Sequence, residues 1–181
     1  ERLFAKLDQA KELAQNALET FEIRKAAILH KAFTGELTAK WRETNGVGME
    51  SWGKKRVGEL LSPMATKKPE KDNQTFRYID IDAIDNETQT VREPKIMLVS
   101  EAPSRASRGV KTGDILFSLV RPYLKNIAYI DEELSDCIVS TGFYVCRCKP
   151  QLNSIFLYRL LCSQDTINYY TNYMKGDNSP S

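Results

Sequence analysis

The chain has few groups with which to do chemistry. Among its 181 residues there is a single histidine, His30. It lies on a predicted helix, where a solvent-facing or interface role suits it better than general acid–base work. No G-x-G-x-x-G or G-x-x-x-x-G-K-[ST] loop is present to cradle phosphate, and no N-P-P-[YF] stretch for amino-methylation of a base. Apolar runs stop well short of the ~20 residues a membrane span needs, and no signal-peptide pattern is visible. The four cysteines, at 137, 146, 148 and 162, contain no C-x-x-C pair and fit no zinc spacing. Cys146 and Cys148 alternate along a strand-like run and read as half-buried thiols, so a reducing, cytoplasmic setting is expected. Net charge is only +2, a weak pull on nucleic acid.

What is present fits a globular chain of one domain with an appendage. Apolar residues make up 41% and charged residues 28%. The chain begins Glu1-Arg2 rather than with Met, as expected of a piece of a longer product. Residues 1–33 are the clearest element. Leu3, Leu7, Ala10, Ala14, Leu18, Phe21, Ile28 and Ala32 recur at helical steps, flanked by Lys, Glu, Asp and Gln without Gly or Pro. Such a helix runs ~50 Å at 1.5 Å per residue, more than a small domain needs. It is expected to be a coiled-coil arm whose stripe lies on another helix. Leu7, Ala14, Phe21 and Ile28 are the expected contacts, with Ala permitting close antiparallel packing. Gly35 is the expected left-handed cap after Thr34, and Glu36 to Arg42 add a further helical turn or two.

After the linker "TNGVGMES" (44–51), Trp52 opens a different kind of sequence. "VGELL" (57–61) reads as a short helix or strand, and "ATKKPEKDNQ" (65–74) as a polar, cationic loop. "FRYIDIDAI" (76–84), "QTVREPKIMLV" (89–99), "GVKTGDILFSLV" (109–120), "NIAYI" (126–130) and "DCIVSTGFYVCRC" (136–148) read as strands. Residues 153–175 read as a helix, broken near Ser163. The expected fold class is α+β: a long coiled-coil-type helix over 1–44, then a mixed α/β domain over 52–181. Its sheet is expected to be curled and mainly antiparallel, and the domain incomplete at its C-terminal end.

Asp80, Asp82, Asp85 and Glu87 invite a divalent ion, but an EF-hand loop would need an acid where Ile84 stands and Gly where Asp85 stands. Alternating acids on the wet face of a strand account for them. Asp85 with Glu93-Pro94-Lys95 resembles the acid and E-x-K of metal-dependent nucleases. Pro94 within the strand spoils that geometry.

Basic residues concentrate elsewhere. Between 105 and 125 there are five cations (Arg105, Arg108, Lys111, Arg121, Lys125) against one anion, Asp114. Arg and Lys bind phosphate oxygens, and Arg offers a two-pronged donor to guanine. Pro122 is expected to hold Arg121 extended at the end of an apolar strand. Tyr123 adds a ring for sugar or base, and "PSRASRG" (103–109) adds hydroxyls beside two Arg.

Several of these stretches together resemble half of the specificity subunit of type I restriction–modification systems. "ILHKAFTGELTAKWR" (28–42) is similar to that family's helix end and turn, and "PSRASRGVKTGDILFSLVRPYLKNIAYI" (103–130) to part of its target-recognition domain. "WGKKRVGELL" (52–61), "YIDIDAID" (78–85), "STGFYVCRCK" (140–149) and "YMKGDNSPS" (173–181) are weaker singly.

The resemblance implies a non-catalytic subunit whose target-recognition domains, held apart by antiparallel helices, each read half of a split sequence in double-stranded DNA. It implies methyltransferase and restriction subunits as partners, and another recognition half or copy through the long helix. S-adenosylmethionine and Mg/ATP would belong to the partner subunits, leaving this chain without a cofactor. The expected DNA-contacting residues are Lys67, Lys68, Lys71, Arg105, Ser107, Arg108, Arg121, Tyr123, Lys125, Lys175 and Asn178. The family's full subunit has two long helices and two recognition domains. One of each here implies a fragment, or two copies that pair. The alternatives are the metal-dependent nuclease built on Asp85, Glu93 and Lys95, and a coiled-coil interaction module without DNA binding.

Overall fold

The structure is a computed structural model and describes residues 2–174. Its contacts divide the chain into two units, between Lys54 and Lys55.

In the first unit, α1 (Arg2–Thr34) is a helix of 33 residues. Its apolar side chains lie exposed, Leu7, Phe21 and Ile28 among them, as does Ala14. With its apolar stripe exposed, propensity without Gly or Pro carries the helix. It ends at Gly35, whose φ of 79° is left-handed, and a Cβ there would meet the Trp52 ring at 3.0 Å. Both facts demand glycine. A tight 3-10 turn (Glu36–Thr38) and α2 (Ala39–Thr44) follow. Arg42 of α2 is buried. Its Nη1 donates to the Gly35 carbonyl at 2.7 Å and to Thr38 Oγ1 at 2.5 Å. Its guanidinium carbon stands 5.8 Å from the centre of the Trp52 ring. The 28–42 block is thus a helix end closed by its own arginine.

Among its described residues, the second unit holds three open sheets and two α-helices. β1 (Thr75–Ile79) pairs antiparallel with β4 (Lys95–Leu98) and parallel with β8 (Ile138–Ser140), and β8 pairs antiparallel with β5 (Ala106–Gly109). This sheet runs β4-β1-β8-β5. β6 (Ile115–Ser118) lies between β7 (Ile127–Tyr129) and β9 (Phe143–Cys146), both antiparallel to it. β2 (Ile84–Asp85) and β3 (Thr90–Val91) form a small hairpin. Helices α3 (Ser154–Leu161) and α4 (Gln164–Thr171) close the fold. The fold class is α+β with mainly antiparallel sheets, as the sequence suggests.

Alternation along β6 explains its unbroken apolar run. Leu116 packs with Ile79, Val139, Phe143 and Val145 on one side. Ile115 and Phe117 pack with Leu157, Leu161 and Ile167 on the other. A strand buried on both faces reads as a near-continuous apolar run, and Ser118, buried at its end, satisfies its hydroxyl locally on Val120.

Several strands are shorter than the pattern predicts. The 76–84 run leaves the sheet at Asp80, whose carboxylate accepts from the Ile81 N–H at 2.9 Å and opens a tight turn. The 89–99 run is split around Pro94, which lacks the N–H a ladder needs. The 136–148 run is two strands, β8 and β9, in different sheets. The 103–109 loop carries β5. "VGELL" forms a 3-10 turn, Val57–Leu60. The break near Ser163 is a cap, with Ser163 Oγ accepting from the Thr166 N–H at 3.3 Å.

Candidate nucleic-acid interface

The basic rim is built on a strained turn. Ser118 ends β6, and its hydroxyl donates to the Val120 carbonyl at 2.8 Å while accepting from the Val120 N–H at 3.2 Å. The chain then forms a 3-10 turn, Pro122–Leu124, with Pro122 buried. Arg121 (φ 49°) before it and Lys125 (φ 54°) after it are both left-handed. Arg121 is therefore not extended, contrary to the expectation from Pro122. The Leu124 N–H donates to the Arg121 carbonyl at 2.9 Å, and that closure outweighs the pre-proline preference. Each left-handed residue costs roughly 1–2 kcal/mol, a cost seen where a fold positions a side chain for use. Arg121 and Tyr123 are exposed and Lys125 is half-buried.

A second basic group lies along β5. Arg105, immediately before the strand, has an exposed guanidinium paired with the buried Asp80 carboxylate. Asp80 is thus not on a wet face, and Arg105 is held rather than loose. Ser107 and Arg108 are half-buried, and Arg108 Nε is buried without a hydrogen-bond partner among the described residues. The 65–74 loop meets this strand, with the Lys67 N–H donating to the Ser107 carbonyl at 3.0 Å. The contact needs Gly109, where a Cβ would stand 2.8 Å from Lys67 Cβ. Lys67, Lys68 and Lys71 are exposed. Lys175 and Asn178 lie outside the described residues.

One turn joins the two groups. Between β8 and β9, the Thr141 N–H donates to the Arg105 carbonyl at 2.9 Å, and the Leu119 N–H donates to the Gly142 carbonyl at 2.9 Å. The β5 cations and the Arg121–Lys125 turn therefore flank Thr141–Gly142. Chain order hides this proximity.

Beside that turn lies a polar cleft of about 460 Å³, lined by Asp80, Asp82, Asn86, Arg92, Arg105 and Asn126 together with isoleucines. Asn86, Arg92 and Asn126 carry no signal in the sequence, because lone amides and arginines in polar stretches look like ordinary surface. An apolar cleft of about 300 Å³ lies beneath Pro122, with Phe117, Leu119, Tyr170 and Tyr173 among its walls.

The nuclease geometry is absent among the described residues. The Asp85 carboxyl caps its own turn, held below the usual carboxylate range by the N–H groups of Thr88 and Glu87, and pairs with Arg92 at 3.5 Å. Lys95 pairs instead with Asp82 at 2.5 Å, which raises its pKa, and Glu93 is exposed. No three His, Cys, Asp or Glu side chains among the described residues are placed to hold a metal ion. No helix there is long and apolar enough to cross a membrane.

No family model matches the chain. Over 79 residues it is 35% identical to the type I restriction enzyme HindI specificity subunit of Haemophilus influenzae, covering 42% of this chain and 17% of that protein. Two solved chains match over 70% of this chain and 33% of theirs. One, from a structure of the assembly and conformational transition of the type I R-M system, is 38% identical with a TM-score of 0.65. The other, the HsdS subunit from Thermoanaerobacter tengcongensis, is 36% identical with a TM-score of 0.61. The chain thus spans about a third of the solved chains it matches. Sequence and fold agree in making it a relative of the type I restriction–modification specificity subunits.

Proposed function

We propose that the chain is a DNA-reading part of a type I specificity subunit and does no catalysis itself. The observation that carries this reading is the placing of two basic groups, distant in sequence, on either side of the Thr141–Gly142 turn. Exposed cations that converge on one place bind the phosphates of a duplex and fix its register. The stripe of α1 is the surface for a second long helix, from another recognition half or another copy. Methyltransferase and restriction subunits are the partners, and S-adenosylmethionine and Mg/ATP are their cofactors. The cytoplasm is the compartment that holds this DNA.

A gel-shift of the purified chain against a random duplex pool, with and without magnesium, tests the reading. Retarded but uncut duplex is the expected result. Cutting that requires magnesium would favour the nuclease, and an unshifted pool would favour a module without DNA affinity.

A further inference from the structure

We infer that the polar cleft beside the Thr141–Gly142 turn is a nucleobase-recognition site, with the Asn126 carboxamide as its reading group. The inference rests on the DNA-reading function and adds where, and by what chemistry, one base is recognised.

Asn126 is only 8% exposed. Its backbone carbonyl is used, accepting from the Ser118 N–H at 3.1 Å. Its side-chain amide has no hydrogen-bond partner among the described residues, yet it lines the cleft. Its polar atoms keep contact with solvent there, so a ligand group that displaces that water can take up their hydrogen bonds. The residue lines the cleft next to the strained Lys125.

The walls say what kind of ligand fits. Arg105 is paired with Asp80, Arg92 with Asp85, and Asp82 with Lys95. Positive and negative groups offset one another around the opening, which disfavours a bare phosphate and favours a neutral polar surface. A nucleobase is such a surface. A carboxamide presents one donor and one acceptor side by side, the pattern that matches N6 and N7 of adenine. Arg105, anchored by Asp80, stands at the same rim to meet the backbone of the strand that carries the base.

The test is selection of bound sequences from a random duplex pool by wild type, Asn126→Ala and Asn126→Asp, with affinities measured on the selected duplexes. Wild type is expected to enrich a site with adenine at one position. Asn126→Ala should lose preference at that base pair by about tenfold, and keep its binding to unselected duplex. Asn126→Asp, left with acceptors alone, should turn the preference toward cytosine. If thermal melting shows that these variants do not fold, Asn86→Ala, exposed in the same cleft, should lower the same preference. A variant that folds and selects the wild-type sequence with wild-type strength overturns the site while leaving the DNA-reading function standing. A wild type that binds no duplex overturns both.

Discussion

Asp114 and Arg147 form a two-pronged ion pair largely out of water. Arg147 Nε meets Asp114 Oδ1 at 2.9 Å, its Nη2 meets Oδ2 at 2.7 Å, and the carboxylate is 2% exposed. The same carboxylate accepts from the Lys111 N–H at 2.8 Å. It ties the turn before β6 to the residue after β9.

Asp114→Ala should therefore strand a guanidinium and an N–H together. Removing one partner of a buried pair costs roughly 3–5 kcal/mol, and Arg147, partly wet, places this case at the lower end. Urea unfolding should show a lower midpoint at unchanged slope. A loss below ~1 kcal/mol would mean that water replaces the pair.

Arg121→Ala and Lys125→Ala should each weaken duplex binding and flatten its salt dependence by about 0.9 in slope. Lys125→Gly separates position from charge. It should bind as weakly as the alanine variant, yet keep or raise stability by up to ~1 kcal/mol, because glycine accepts φ 54° without strain. Unchanged salt dependence in the double alanine variant would take this turn out of the interface.

Phe21→Asp places a charge on the α1 stripe, where the ring is 68% exposed. The isolated chain should melt as wild type does. Pairing with a second helix should fail, because a charge buried at a helix seam costs several kcal/mol. Co-purification with the partner at wild-type yield would show that another face of α1 makes the contact.

How much of this was legible in the sequence varies with the physics involved. The long helix and its Gly35 stop were readable, because propensity and one left-handed residue decide them locally. The two-sided burial of β6 was readable from its unbroken apolar run. Arg121 was misread because the rule for residues before proline is local, whereas hydrogen bonds across the turn decide its φ. The division of 136–148 was hidden, since both strands are apolar and hydrophobicity does not say which sheet a strand joins. Asn126 left no trace, because its setting depends on segments distant in sequence.

The thiols of Cys137 and Cys146 are pushed up to about 12 by burial, as is the Tyr158 hydroxyl. Their stabilisation is complete below the thiol's ordinary value of 9.0 and is lost as pH rises toward 12, because the unfolded chain releases these protons first. Stability should thus fall steadily across that window. At pH 8, both thiols should react with a thiol reagent far more slowly than in the denatured chain. Prompt labelling of Cys146 would contradict its place under the helices.

Asp85→Ala and Glu93→Ala should change neither cleavage nor methylation by a reconstituted complex, apart from any effect on folding. Asp85 is occupied by its own turn and Arg92, and Lys95 by Asp82. The measurement is incubation of the chain with duplex DNA and Mg²⁺ or Mn²⁺. Cutting that vanishes in Glu93→Ala would restore the nuclease, since a lost ligand releases the catalytic cation.

In the sheet ordered β4-β1-β8-β5, the strand that joins the two outer pieces is the last to be synthesised. β1 and β8 are about sixty residues apart in the chain and meet in parallel, Tyr78 beside Ile138 and Ile79 beside Val139. Until residue 140 has emerged, the β1–β4 pair and β5 have unpaired edges and nothing between them. Closing so large a loop is slow. A nascent chain stalled within that interval presents open strand edges to its neighbours, so aggregation competes with folding there. Folding speed should then respond more to substitutions in β8, at Ile138 and Val139, than to any in the peripheral β2–β3 hairpin.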